Sequence, residues 1–189
     1  MKNLIFIFLI FISGCDLFTN RDPEVPDTAR SNYLPATTLD ILFSNLKSSL
    51  NEKVLENYMS SFVDASFIDL PFMFFPSSEA VVKFPALVEW NLSAERQYFN
   101  NLINSTKQNT PILLDLQNEI KNAAGDSAVF QYDYILTLSP IDESIPSVYR
   151  GNMKFYTFLD SRNQWVIGRW EDIKIGTNPS WSELKGAMY

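Results

Sequence analysis

The chain has no histidine among its 189 residues, and that absence excludes more chemistry than any motif present supplies. Without imidazole there is no Ser-His-Asp nucleophile, no histidine acid–base relay and no histidine metal ligand. A single cysteine, Cys15, rules out an intrachain disulfide, so the folded part must be held by its core. Glycine is scarce at six residues, and neither G-x-x-x-x-G-K-S/T nor G-x-G-x-x-G occurs, which excludes nucleotide binding through those loops. Positive charge is also short, 15 Lys and Arg against 22 Asp and Glu. A formal charge of −7 repels phosphate backbones, so nucleic acid is not an expected partner. Asp160-Ser-Arg-Asn-Gln lacks the glycine and terminal acid of a calcium loop and reads as a hairpin turn. No cofactor or metal is expected.

What is present begins with Lys2, the unbroken apolar run Leu4–Ile12 and the small pair Ser13-Gly14, the order of an export signal. Nine helical residues reach only about 14 Å, roughly half a bilayer's hydrocarbon thickness, so the run is too short to span. Ile12-Ser13-Gly14-Cys15 resembles the lipobox of bacterial lipoproteins. That resemblance implies a signal peptide over residues 1–14, cleavage before Cys15, and acyl chains such as palmitate on Cys15. Anchoring by more than one chain is stable, so the protein is expected to sit on a membrane of the bacterial cell envelope without crossing it. Loss of residues 1–14 removes Lys2 and no acid, leaving −8.

Residues 15–36 carry three prolines and scattered charge without apolar periodicity, and read as the lipidated cysteine and a tether. Residues 37–189 are of single-domain size. Leu39, Leu42, Phe43, Leu46 and Leu50 recur at helical spacing behind Thr37 or Thr38 as N-cap. Val54, Leu55, Tyr58, Met59 and Phe62 predict a second short helix, and Phe67–Pro85 a short strand and loop. Ser93 is expected to open a third helix carrying Tyr98, Phe99, Leu102 and Ile103. Beyond Pro111 the pattern turns to strands over Ile112–Ile120, Ala128–Leu138, Ser147–Leu159 and Trp165–Ile175, joined by turn residues. Short connections demand antiparallel pairing, and helices followed by a meander give an α+β fold. Alternation puts Phe130, Tyr132, Tyr134, Leu136 and Leu138 on one face, and Val129, Gln131, Asp133, Ile135 and Thr137 on the other.

Three helices feeding a long sheet resemble the NTF2-like superfamily, which includes ketosteroid isomerase-like and polyketide cyclase-like (SnoaL-like) proteins. Phe74-Phe75-Pro76 through Trp90 to Glu95-Arg96, and Trp165–Asp172 followed by Trp181–Lys185, look like its small envelope lipoproteins. The resemblance implies a cone, N-terminal helices packed on a curved antiparallel sheet, with an apolar mouth. Trp90, Tyr132, Tyr134 and Trp170 are then the expected pocket residues. With histidine absent, the remaining acid–base chemistry is a desolvated Asp working with a Tyr, and Asp133 and Asp172 are the candidate catalytic residues. Strand alternation turns Asp133 away from Tyr132 and Tyr134. The expected function is an envelope lipoprotein binding a small apolar ligand or a partner protein. The alternative is an isomerase- or cyclase-like enzyme using an Asp/Tyr pair. The mixed face of Val129, Gln131, Asp133, Ile135 and Thr137 adds homodimerisation as an expected association.

Overall fold

The computed structural model describes residues 31–189; the export segment and Cys15 lie outside the described residues. Helix α1 (Leu39–Glu52) begins where Thr38 Oγ1 accepts from Ile41 N at 3.3 Å, and buries Leu42, Phe43, Leu46 and Leu50. Helix α2 (Leu55–Met59) follows at once and buries Tyr58. Packing starts before Thr37: Leu34 exchanges two hydrogen bonds with Asn45, and the buried Ala36 accepts from Trp165 N.

The stretch expected to be one strand and a loop is more ordered than that. It forms β1 (Met73–Phe75), helix α3 (Ser78–Lys83) and a 3-10 helix (Pro85–Glu89) opened by proline. Helix α4 (Leu92–Ser105) is capped by Asn91, whose side chain accepts from Ser93 N and Ala94 N, so Ser93 lies inside the helix. The strands β2 (Leu113–Ala124), β3 (Ser127–Thr137), β4 (Val148–Leu159) and β5 (Trp165–Lys174) lie close to their expected limits. A fifth helix, α5 (Trp181–Met188), closes the chain behind a capping box of Ser180 and Glu183.

The sheet runs β1-β5-β4-β3-β2 and is mixed. The four long strands pair antiparallel, but β1 joins β5 in parallel, with Phe74 opposite Trp170. Register shifts at Gln117/Ile120, where Asn118 takes φ 53°, and at Tyr156/Thr157 bend the sheet without closing it into a barrel. One face carries Phe130, Tyr132, Tyr134, Tyr149, Met153, Phe155 and Trp170, all buried, with α1 and α5 packed on it. On the other face Val129, Gln131, Asp133, Ile135 and Thr137 are half-buried by their strand neighbours.

Candidate functional site

Strand β5 and helix α4 each bring one carboxyl group to the covered side of the sheet, and both belong to one interior network with α5. Asp172, on β5, shares its face with Trp170 two residues earlier. Its Oδ1 accepts from the Tyr134 hydroxyl at 2.8 Å, and its Oδ2 from Ser182 N at 2.7 Å and from the Ser182 hydroxyl. Tyr134 reaches it by lying across Gly151, its partner on β4; a Cβ there would stand 2.7 Å from the Tyr134 hydroxyl. The same hydroxyl accepts from Trp181 N at 2.6 Å. Burial pushes the Asp172 carboxyl above its ordinary range, with the bonds from Ser182 and Tyr134 opposing. Burial and the nearby Asp172 hold the Tyr134 phenol well above its usual value.

Glu95 is the second acid, fully buried in the first turn of α4. Its Oε1 accepts from the Tyr58 hydroxyl at 2.5 Å, and its Oε2 accepts from Trp90 Nε1 at 2.6 Å and from the Lys185 ammonium. Lys185, equally buried, comes from α5. Its Nζ stands 3.7 Å from the centroid of Trp170 and 4.0 Å from that of Phe74, with Trp90 and Tyr98 each at 5.5 Å. Four aromatic rings thus surround one cation, an attractive arrangement once the charge is desolvated. Desolvation still dominates and lowers the Lys185 pKa to about 8, against the pull of Glu95 and Asp172. Trp181 completes the filling, edge-on to Trp170 at 4.7 Å and donating Nε1 to the Tyr98 hydroxyl at 2.8 Å.

Of the residues singled out in the sequence, this network unites Trp90, Tyr134, Trp170 and Asp172. Tyr132 lies at the α1 end instead, 5.4 Å from Phe43, with its hydroxyl bonded to Glu119 Oε2. Asp133 is on the opposite face, where bonds from Asn118 and Asn152 hold its carboxyl below the usual range. Glu95, Lys185, Tyr58, Tyr98 and Ser182 were not foreseen. A signal existed for two of them: Glu95 belongs to the stripe Glu95, Tyr98, Phe99, Leu102, and Lys185 to Trp181, Leu184, Lys185, Met188. A charge on an apolar helical stripe announces a buried partner.

Chemically, a buried carboxyl bonded to a phenol can hold or move a proton. Here Ser182 takes the free oxygen of Asp172 and Trp181 N takes the phenol, while the Glu95 oxygens face three donors. The indole N–H of Trp170 is buried without an acceptor. Open space borders this interior at Trp90 and Phe74, which line a groove beside β1, and at Asp172, which lines a cleft of about 300 Å³ with Glu79 and Lys174. A cleft of about 550 Å³ between α2 and α4 is lined by Met59, Leu92, Arg96 and Arg162, but Arg96 is paired with Glu56 and Arg162 with Asp160. The groove beside β1, of about 440 Å³, is also lined by Met73, Phe75, Val81 and Val88.

No protein-family model matches this sequence, and no curated protein matches it significantly. Solved structures do match by shape. An NTF2-like protein of unknown function from Pseudomonas putida KT2440 superposes with a TM-score of 0.53 at 12% identity, over 75% of this chain and 87% of that one. A candidate scytalone dehydratase from Novosphingobium aromaticivorans gives 0.53 at 10% identity, over 75% and 89%. A ketosteroid isomerase-like protein from Erwinia carotovora atroseptica gives 0.52 at 7% identity, over 75% and 97%. The fold is therefore NTF2-like, shared by proteins of unknown function and by isomerase- and dehydratase-like ones. At such identities the likeness concerns the fold alone.

Proposed function

We infer that the chain is a lipid-anchored protein of the bacterial cell envelope whose NTF2-like domain binds a partner protein rather than transforming a substrate. The observation that carries the binding role is the filled interior. Where a cone of this kind would offer a pocket, α5 inserts Trp181, Leu184 and Lys185, each with no exposed surface, and the polar atoms of α5 bond both interior acids. The open face of the sheet, with Gln131, Asp133, Arg150 and Lys154 interspersed among Val129, Ile135 and Tyr156, is the surface left for a partner or a second copy. Support for the anchor is the run Leu4–Ile12 followed by Ile12-Ser13-Gly14-Cys15. Among the described residues no helix is long and apolar enough to cross a membrane.

Two measurements test this. Radiolabelled palmitate should enter the wild-type chain and not the Cys15→Ser variant; equal labelling removes the anchor. Native mass spectrometry of residues 31–189 purified from the producing cell should give polypeptide mass alone, as monomer or dimer. A small molecule released on denaturation would instead establish the apolar-ligand reading. One observation favours the enzymatic alternative, the 2.8 Å bond between Tyr134 and the buried Asp172. That reading requires α5 to leave, and it predicts a turnover abolished in Asp172→Asn.

A further inference from the structure

We propose that the face built by β1, α3 and the 3-10 helix lies against the bilayer that carries the Cys15 lipid, an inference that rests on the lipoprotein reading above. This face concentrates the exposed apolar side chains. Val88 is 66% exposed, Phe75 43% and Met73 38%, and Val82, 86% exposed, follows the groove-lining Val81 on α3. Met73, Phe75, Val81 and Val88 line a single groove, and Ile173, 48% exposed, adjoins it across Pro76. Because β1 is an edge strand, nothing of the sheet lies beyond it among the described residues.

Charge separates this face from the rest of the molecule. Its rim holds Lys83 and Glu89, of opposite sign, while Glu79 is paired with Lys174 at 2.7 Å and Glu171 with Arg169. It is therefore close to neutral in a chain with seven more acids than bases. Exposed Leu113 and Ile120, on β2, stand instead beside Asp115 and Glu119. At the rim, the Arg169 guanidinium lies 4.3 Å from the centroid of Phe75, and Lys83 Nζ 5.2 Å from that of Phe84. Long cationic stems over apolar rings suit the headgroup level of a bilayer.

The size of the patch and the length of chain before it select the occupant. A stable protein interface engages roughly 20–30 residues a side, far more than these five or six side chains. A bilayer bound through an anchor needs less, since tethering converts a weak contact into an intramolecular one at an effective concentration on the order of millimolar. From Cys15 to Ser31 the chain extends to at most about 55 Å, beyond the span of a domain whose radius of gyration is about 15 Å, so this face is within reach of the lipid.

The test uses the full lipidated chain in vesicles of phosphatidylethanolamine and phosphatidylglycerol, with a spin label on Val82→Cys, Val88→Cys or, as comparator, Ile120→Cys. Acylation of Cys15 leaves each introduced thiol as the sole labelling site, and positions this exposed tolerate the change. The expected result is oxygen accessibility exceeding that of a water-soluble nickel complex at 82 and 88, by several-fold relative to 120. Labels at 82 and 88 as aqueous as that at 120 would overturn the proposal while leaving the anchor standing. Shielding from both relaxants would mean that protein covers the face, and also overturns it. Intact mass of the same sample reports the acyl chains; a chain without them fails the lipoprotein reading itself, and this inference with it.

Discussion

The two ends of the covered sheet face are closed by helices of similar task and different chemistry. At one end α1 presses Phe43 against Phe130, Tyr132 and Phe155 at ring separations of 4.7, 5.4 and 5.9 Å, backed by Leu42, Leu46 and Leu50. At the other, α5 brings Trp181, Ser182 and Lys185 to Tyr98, Tyr134, Asp172 and Glu95 through directional bonds. Apolar burial is non-directional and roughly proportional to area, so around Phe43 the α1 end tolerates volume-conserving repacking, its directional bonds being those of Asn45 with Leu34. The α5 end does not, because a shifted helix would strand two buried acids and an ammonium, each costly alone. The contrast teaches that α5 is specified in position more tightly than its eight residues would suggest.

The largest expected effect breaks the α5 end. Lys185→Met keeps the volume and removes the charge, leaving Glu95 buried against Tyr58 and Trp90 without its cation. Urea unfolding should register a loss of about 3–5 kcal/mol. Adding Glu95→Gln should recover part of it, with a coupling of about 1–3 kcal/mol in the double-mutant cycle. Strict additivity would mean that the ion pair does not act as a unit. At the other end Phe43→Ala should cost about 3 kcal/mol through the cavity it opens, whereas Leu46→Met should cost less than about 1.5 kcal/mol. The test of the contrast is that volume-conserving exchange is mild at α1 and severe at α5.

The same contrast explains what the sequence disclosed. Strands β2 to β5 were legible because alternation and short turns are local, and Tyr132 and Tyr134 were correctly put on one face and Asp133 on the other. Helix α5 carries a capping signal, Ser180 three residues before Glu183, but Gly176 and Pro179 just ahead of it read as turn residues. The parallel β1–β5 pair was not readable, since a three-residue strand has too few positions for a period and its partner lies nearly a hundred residues on. The Glu95–Lys185 pair was half legible, as two charges each on an apolar stripe; that they meet depends on α4 and α5 packing together. Tyr134 and Asp172 were each singled out, but their contact is set by Gly151 and the β3-β4-β5 register.

A smaller effect sharpens the comparison through pH. The Lys185 pKa falls from 10.5 when unfolded to about 8 when folded, so between those values the unfolded chain binds more protons and stability rises with pH. From pH 8 to 9 the gain should be about 1 kcal/mol, measured by urea midpoints. Glu95, Tyr98 and Asp172 are the titratable groups facing it. As pH approaches 10 the sign reverses, because Tyr58, Tyr98 and Tyr134, held well above their ordinary value by burial, ionise more readily in the unfolded chain. Phe43→Ala should keep the rise between pH 8 and 9, and Lys185→Met should lose it. A rise persisting in Lys185→Met would assign it to another group.

The smallest pair of changes compares a single hydroxyl at each end. Ser182 Oγ donates to Asp172 and accepts from Ser77 N at 3.0 Å, all three groups being buried. Ser182→Ala removes both bonds while Ser182 N still serves Asp172, so the expected loss is about 1–2 kcal/mol. Thr38 Oγ1 makes one exposed cap bond to Ile41 N, and Thr38→Ala should cost about 1 kcal/mol or less, since water replaces what the cap supplied. Hydrogen exchange separates the two better than total stability does. Ser182→Ala should speed exchange throughout α5, whose register depends on that contact, whereas Thr38→Ala should affect only the first turn of α1. If both variants loosened their helices equally, the α5 end would owe its position to apolar burial after all, and the polar bonds would be incidental to it.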